Sequence, residues 1–333
     1  MAEYVGAVDQ GLATELVGID DVRAAAARIA AHVLRTPTIA SPGLTAHLGV
    51  PVALKLELLQ RTGSFKPRGV AHKLLALSDA ERRAGVVAVS GGNHGMAVAA
   101  VAAGMGVAAT VVMPESAPAR SVAAVRAAGA ALRLTPDMTG AFALTEELRA
   151  DGATLVHPFD DPVVVAGQGT VGLELATDAP ELTDVLVSIG GGGLISGVAT
   201  AVRTLIPGVR VWGVETEGAD AMTRALTAGQ PVPITPTSIA STLSAPHASA
   251  LTYAHVTALV EDVLVVSDAE AVRGIFTFAE EAKLWVEPAT GCLIPAAHRV
   301  LDRVGPAARL GLVVCGGNVT AAEVRGWADR LGL

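Results

Sequence analysis

Val185-Leu186-Val187-Ser188-Ile189-Gly190-Gly191-Gly192-Gly193-Leu194 is the stretch that decides the fold. Its first five residues are a short, almost continuously apolar run, the pattern of a strand buried on both faces. Four glycines follow, and a helical pattern begins near Leu194. The same unit of apolar strand, glycine cluster and helix occurs at Val86-Val87-Ala88-Val89-Ser90-Gly91-Gly92-Asn93-His94-Gly95. It occurs again at Leu312-Val313-Val314-Cys315-Gly316-Gly317-Asn318. In parallel α/β sheets, the carboxyl ends of strands and the helix N-termini after them form the ligand crevice. Three such turns predict three walls of one site.

Further apolar runs predict strands at Val52–Leu58, Gly85–Ser90, Val107–Met113, Leu132–Thr135, Thr154–His157, Val209–Glu215 and Leu310–Cys315. Ala-rich helical patterns lie between most of them, such as Ala117–Ala128 and Gly140–Ala150. This alternation predicts an α/β fold with a mostly parallel sheet covered on both faces. The first 18 residues lack a strong period and read as an arm. Asp20 or Asp21 is then placed to cap a helix through Val22, Ala26, Ile29 and Val33, ended by Thr36-Pro37. Gly95–Met113 is uncharged and long enough to suggest a membrane span. Its Ala and Gly content and the break at Gly104-Met105-Gly106 predict a buried helix followed by a strand instead.

The 333 residues are 51% hydrophobic and 17% charged, which excludes disorder and supplies a large core. Aromatics make up only 3%, so Ala, Val and Leu must build that core. A net charge of −8 gives no electrostatic case for nucleic acid or an anionic membrane surface. Two cysteines, Cys292 and Cys315, make no disulfide framework, and no Cys/His spacing suits zinc. The N-terminus carries Glu3 and Asp9 and has no secretory pattern, so a cytoplasmic location is expected.

Gly190 to Gly193 suit an anion. Residues without Cβ let the backbone wrap an oxyanion, and the following helix N-terminus offers free N–H groups and partial positive charge. The loop is neither a Walker A motif nor G-x-G-x-x-G, and four consecutive glycines favour phosphate binding over a plain tight turn. Among 24 basic residues only Lys55, Lys66, Lys73 and Lys283 are lysines. Lys66 lies in Thr62-Gly63-Ser64-Phe65-Lys66-Pro67-Arg68-Gly69, where Ser64 is placed to cap a helix and Pro67 to enter its first turn. Desolvated beside Phe65, such a lysine is suited to a lowered pKa and Schiff-base chemistry. The other three read as solvated surface charges.

Ser64-Phe65-Lys66-Pro67-Arg68-Gly69, Ser90-Gly91-Gly92-Asn93-His94-Gly95, Gly190–Gly193 and Cys315-Gly316-Gly317-Asn318 occur in that order. With His157-Pro158-Phe159-Asp160-Asp161-Pro162 and Ala166-Gly167-Gln168-Gly169-Thr170, they resemble the fold-type II pyridoxal-phosphate enzymes. Within these, the chain is most similar to the serine/threonine dehydratase and serine racemase group, from about Ile19 to the C-terminus. The resemblance implies a tryptophan synthase β-like fold of two three-layer domains with mostly parallel sheets. It implies a large cofactor-binding domain from residues 1–76 and 156–333, and a small mobile one from 77–155. A homodimer acting on a small amino acid is expected by the same analogy, and the net charge already argues against nucleic acid or membrane partners.

Residue by residue, the resemblance makes Lys66 the Schiff-base lysine that later moves the Cα proton. Gly190, Gly191, Gly192 and Gly193 would hold the phosphate of pyridoxal 5′-phosphate. Asn93 would bond the ring hydroxyl, Phe65 would pack beside the ring, and Cys315 would face the pyridine nitrogen. Ser90, Gly91, Asn93 and His94 would surround the substrate carboxylate. A neutral thiol leaves the ring a weaker electron sink than an aspartate would, which favours loss of a β-substituent over a long-lived carbanion. The implied activity is dehydration and deamination of a β-hydroxy amino acid, with L-threonine and L-serine first among substrates.

Three departures qualify the resemblance. Gly91 stands where racemases carry a serine acid/base. Glu215 and the Ala219 carbonyl match a divalent-cation site for Mg or Ca, but Ala221 replaces a carboxylate, with Asp220 or Glu217 as substitutes. Ile239-Ala240-Ser241-Thr242-Leu243 replaces an Ile-Ala-Asp-Gly stretch and leaves the substrate open. The alternatives are β-replacement, racemisation, dehydration of an unusual β-hydroxy amino acid, a non-catalytic sensor and a nicotinamide dehydrogenase. The last conflicts with the missing G-x-G-x-x-G.

Overall fold

The quoted run Val185–Ser188 lies at the centre of a six-stranded sheet in the computed structural model, which describes residues 15–333. Most of the N-terminal arm, with Glu3 and Asp9, falls outside the described residues. The strands are β1 (Thr38–Ala40), β2 (Val52–Lys55), β3 (Val86–Val89), β4 (Ala109–Pro114), β5 (Ala131–Thr135), β6 (Thr154–Leu155), β7 (Asp184–Ser188), β8 (Arg210–Thr216), β9 (Asp262–Val266) and β10 (Leu310–Val313). The larger sheet runs β1-β2-β10-β7-β8-β9, and a second runs β5-β4-β3-β6. Every pairing is parallel except β1 with β2. All residues of β3, β7 and β10 are buried, as continuous apolar runs require.

All eight expected strands are present with shifted ends, and Val52–Leu58 breaks after Lys55 into a one-turn helix at Glu57–Leu59. β1 and β9 were not expected. Both are edge strands: β1 has only three residues, and β9 follows a helix with no glycine turn to announce it. Gly95–Met113 divides as expected between the helix Asn93–Met105 and β4.

Two expected caps are corrected. Gly18, not Asp20 or Asp21, is the N-cap of the helix Ile19–Ile29, and Asp21 accepts from the Gly18 N–H at 2.9 Å from inside the first turn. Ser64 does not cap the helix Pro67–Ala76, whose N-cap is Lys66 itself. Ser64 pairs instead by a backbone bridge with Gly316, tying the lysine loop to the turn after β10.

Lys55 is also corrected: it is fully buried, not solvated. It belongs to a charge cluster beneath the lysine loop. Arg68 Nε and Nη2 donate to Glu57 at 2.7 and 2.8 Å, Arg68 Nη1 and Nη2 donate to Glu174 at 2.8 Å, and Lys55 Nζ donates to Glu174 at 2.5 Å. Two cations and two carboxylates balance, so no charge in this cluster is left unpaired. Its effect is positional. Arg68 lies in the first turn after Lys66, and its fork fixes that turn against two other elements.

Candidate functional site

The turns after β3, β7 and β10 meet around one cavity of about 390 Å³, lined by Ser90 to His94, Ser188, Gly190 to Leu194 and Cys315. Phe65 and Lys66 line it from the loop before Pro67–Ala76. The three expected walls thus enclose a single space. The Lys66 ammonium donates to the Pro158 carbonyl at 3.1 Å and lies 5.0 Å from the centre of the Phe65 ring. Desolvation lowers its pKa from 10.5 to about 8. A neutral, nucleophilic amine is therefore within reach near physiological pH.

The glycine loop leads into the helix Gly193–Leu205, whose N-terminus receives no side-chain cap. Its first N–H groups are open to an anion. Gly192 has φ +91°, the left-handed region that suits glycine, and a Cβ at Gly191 would come within 2.0 Å of the Phe159 ring. The loop therefore packs closely on Phe159 while lining the cavity, and larger residues would push it away.

Asn93 opens the helix Asn93–Met105 and is buried. Its Nδ2 donates to both oxygens of Glu287, at 3.0 and 3.1 Å, and its Oδ1 accepts from Asn318 Nδ2 at 2.8 Å. Glu287 also accepts from Thr242 Oγ1 at 3.1 Å and from the Asn318 N–H at 3.3 Å. Its own carboxyl is held above the usual range by desolvation, with these donors pulling the other way. The sequence reading missed Glu287. The available signal was an acid set between Val286 and Pro288 in an apolar context, with no motif around it.

Cys315 Sγ lies 3.4 Å from Ser188 Oγ and 3.3 Å from Thr290 Oγ1. Burial pushes its thiol up to about 12, so it is neutral across the working range. Ser188 and Thr290 were also missed, because isolated hydroxyls carry no pattern. Ser90 Oγ accepts from the Gly92 N–H at 3.1 Å, folding the turn at the N-terminus of Asn93–Met105. That helix has no acidic residue in its first turn. His94 Nε2 donates to the Val156 carbonyl at 2.7 Å, and burial lowers the His94 pKa to about 3. Its ring is therefore neutral, with Nε2 engaged and Nδ1 buried without a partner.

Glu215 and Ala219 do not join this cavity's lining. The Glu215 carboxylate accepts from Met222 N at 2.9 Å, Thr223 N at 2.8 Å and Thr223 Oγ1 at 2.7 Å, serving the N-terminus of the helix Ala221–Ala228. Asp220 pairs with Arg224. Among the described residues no group of three or more His, Cys, Asp and Glu side chains is gathered for a metal. The donors here do not fit the cation site that Glu215 and Ala219 suggested.

Comparison with known proteins adds independent findings. The family described as pyridoxal-phosphate dependent enzyme matches residues 29–316. An L-threo-3-hydroxyaspartate ammonia-lyase from a Pseudomonas species is 41% identical over 310 residues, covering 92% of this chain and 96% of that protein. An L-threonine ammonia-lyase of Thermotoga maritima is 37% identical, over 91% of this chain and 76% of its own length. The structure of maize serine racemase superimposes with a TM-score of 0.88 at 34% identity, covering 96% of this chain and 99% of that one.

Proposed function

The chain belongs to the pyridoxal-phosphate-dependent enzymes, and on that premise we propose that it is an ammonia-lyase converting a β-hydroxy amino acid to a 2-oxo acid and ammonia by β-elimination. The observation that carries this reading is the convergence of the Lys66 amine, the glycine loop and the Cys315 thiol on one cavity. The donor set fits the cofactor. The cradle of Gly190 to Gly193 accepts no Cβ at Gly191 without striking Phe159, and its uncapped helix N-terminus suits a phosphate. Asn93 is held in place for the ring hydroxyl, Phe65 for the ring face, and the neutral Cys315 thiol for the pyridine nitrogen.

Bound there, the cofactor supplies a carbonyl carbon that joins amines and a ring that accepts electrons released at Cα. The protein supplies the rest. Lys66 would both hold the cofactor and, as a free amine, take the Cα proton, and its lowered pKa suits that role. Ser90, Gly91, Asn93 and His94 offer the start of a helix to the substrate carboxylate. The β-hydroxyl departs as water with one added proton. The released enamine tautomerises to an imine, which consumes one water to give the 2-oxo acid and ammonia. Gly91 has no side chain and offers no second proton-transfer group, which supports elimination over racemisation.

We assign residues 1–76 and 156–333 to a larger unit and 77–155 to a smaller, moving one that closes over the substrate. The separate four-stranded sheet, drawn from strands between 86 and 155, supports this division. Among the described residues no helix is long and apolar enough to cross a membrane. A cytoplasmic homodimer extends the reading by analogy, and light scattering on the purified protein tests the dimer. The reaction is tested by incubating cofactor-loaded protein with β-hydroxy amino acids and measuring 2-oxo acid and ammonia. Equal release of both supports the reading, and a loaded protein that releases neither overturns it.

A further inference from the structure

One wall of the cavity carries a cation that the proposed steps do not use. The helix Ala119–Ala127 begins at the cavity with Pro118 as its N-cap, no capping side chain and no acid in its first turn. Arg120 and Ser121 lie in that turn and both line the cavity. Ser121 is 1% exposed, and its Oγ has no hydrogen-bond partner. Arg120 Nε is likewise buried without a partner. A buried hydroxyl and a buried guanidinium N–H left unpaired are costly unless something outside the chain satisfies them.

The arginine is nevertheless held firmly. Its Nη1 donates to the Glu323 carboxylate, and Glu323 also accepts from Thr320 N and Thr320 Oγ1, both at 2.8 Å. Glu323 thus anchors one side of the fork while Nε is left for a ligand. Glu287, which does line the cavity, feels the Arg120 charge without a direct bond to it and is hydrogen-bonded by Asn93, Thr242 and Asn318. A Cβ at Gly91 would meet Ala117 Cβ at 3.3 Å, so this turn adjoins the one offered to the α-carboxylate.

We propose that Arg120 and Ser121 form a subsite for an anionic β-substituent, making the substrate a β-hydroxy-α-amino dicarboxylic acid. The proposal rests on the ammonia-lyase reading and names its substrate class. The second carboxylate accepts from Arg120 Nε and Ser121 Oγ at the start of Ala119–Ala127, where the helix dipole also favours it.

The test uses cofactor-loaded enzyme with 3-hydroxyaspartate, L-threonine and L-serine, and measures succinate binding by calorimetry. The dicarboxylate should be preferred by more than about tenfold in kcat/KM. Arg120→Gln should cut its kcat/KM about 10–100-fold, mostly through KM, while threonine changes less than about threefold. Succinate affinity should fall in parallel, and Ser121→Ala should show the same selectivity at smaller size. A preference for threonine or serine, or equal losses on all substrates, overturns the proposal. Should Arg120→Gln fail to fold, Ser121→Ala decides by the same ratio. If no β-hydroxy amino acid is consumed, the ammonia-lyase reading falls; succinate binding that depends on Arg120 then still upholds the subsite, and binding that ignores it overturns it.

Discussion

Asn93 and Glu287 are 194 positions apart, yet the Asn93 amide donates to both oxygens of the Glu287 carboxylate at 3.0 and 3.1 Å. The pair joins the turn after β3, in the smaller sheet, to the segment before Pro288, which packs on the larger one. It also orients the amide, since Asn93 Oδ1 is fixed by Asn318. A cofactor hydroxyl meeting Asn93 therefore meets a group with little freedom.

Glu287→Ala removes the acceptor shared by Asn93, Thr242 and Asn318. The expected losses are about 1–3 kcal/mol of stability in urea titration and weaker cofactor binding. Glu287→Gln keeps one acceptor and should fall between wild type and alanine. Unchanged cofactor affinity in both variants would show that the pair does not position Asn93.

Lys66 should react as an unusually acidic lysine. With its pKa lowered from 10.5 to about 8, the apo-protein should combine with an aldehyde at a rate that rises with pH through about 8 and then levels. The sign follows from the neutral amine being the nucleophile, so the reaction is slow below that point. A rate still climbing toward pH 10 would mean an ordinary, solvated lysine.

Gly191→Ala places a Cβ against the Phe159 ring. Overpacking of about 1–3 kcal/mol at the proposed phosphate cradle predicts about 10–100-fold weaker cofactor binding. Equilibrium dialysis with pyridoxal phosphate measures it, and circular dichroism confirms that the variant folds.

Arg68→Met leaves the buried carboxylates of Glu57 and Glu174 with too little positive charge. The expected cost is about 3–5 kcal/mol, read from the urea midpoint. Because Arg68 and Glu57 are both fully buried, added salt should recover little of it.

The strands and their glycine turns were legible because each is local: a run of valines with glycines beside it needs no distant partner to be recognised. That Lys66, the loop Gly190 to Gly193 and Cys315 would line one cavity was legible for the same reason, since each belongs to an ordered short motif. Lys55 was misread because its burial depends on Glu174, 119 residues away. Glu287, Ser188 and Thr290 carry meaning only through side chains brought to them by the fold. Ser64 had the right residue type for a cap, but its backbone is claimed by Gly316. Glu215 looked like a metal ligand until the N-terminus of Ala221–Ala228 was seen to occupy its oxygens.

The central claim is that Lys66 is the residue that joins pyridoxal phosphate. Borohydride reduction of the cofactor-loaded protein, followed by peptide mapping, tests it most directly. The account predicts a visible absorbance that reduction abolishes, with the phosphopyridoxyl label on the peptide containing Lys66. Label on Lys55, Lys73 or Lys283, or no visible absorbance after adding pyridoxal phosphate, would contradict it.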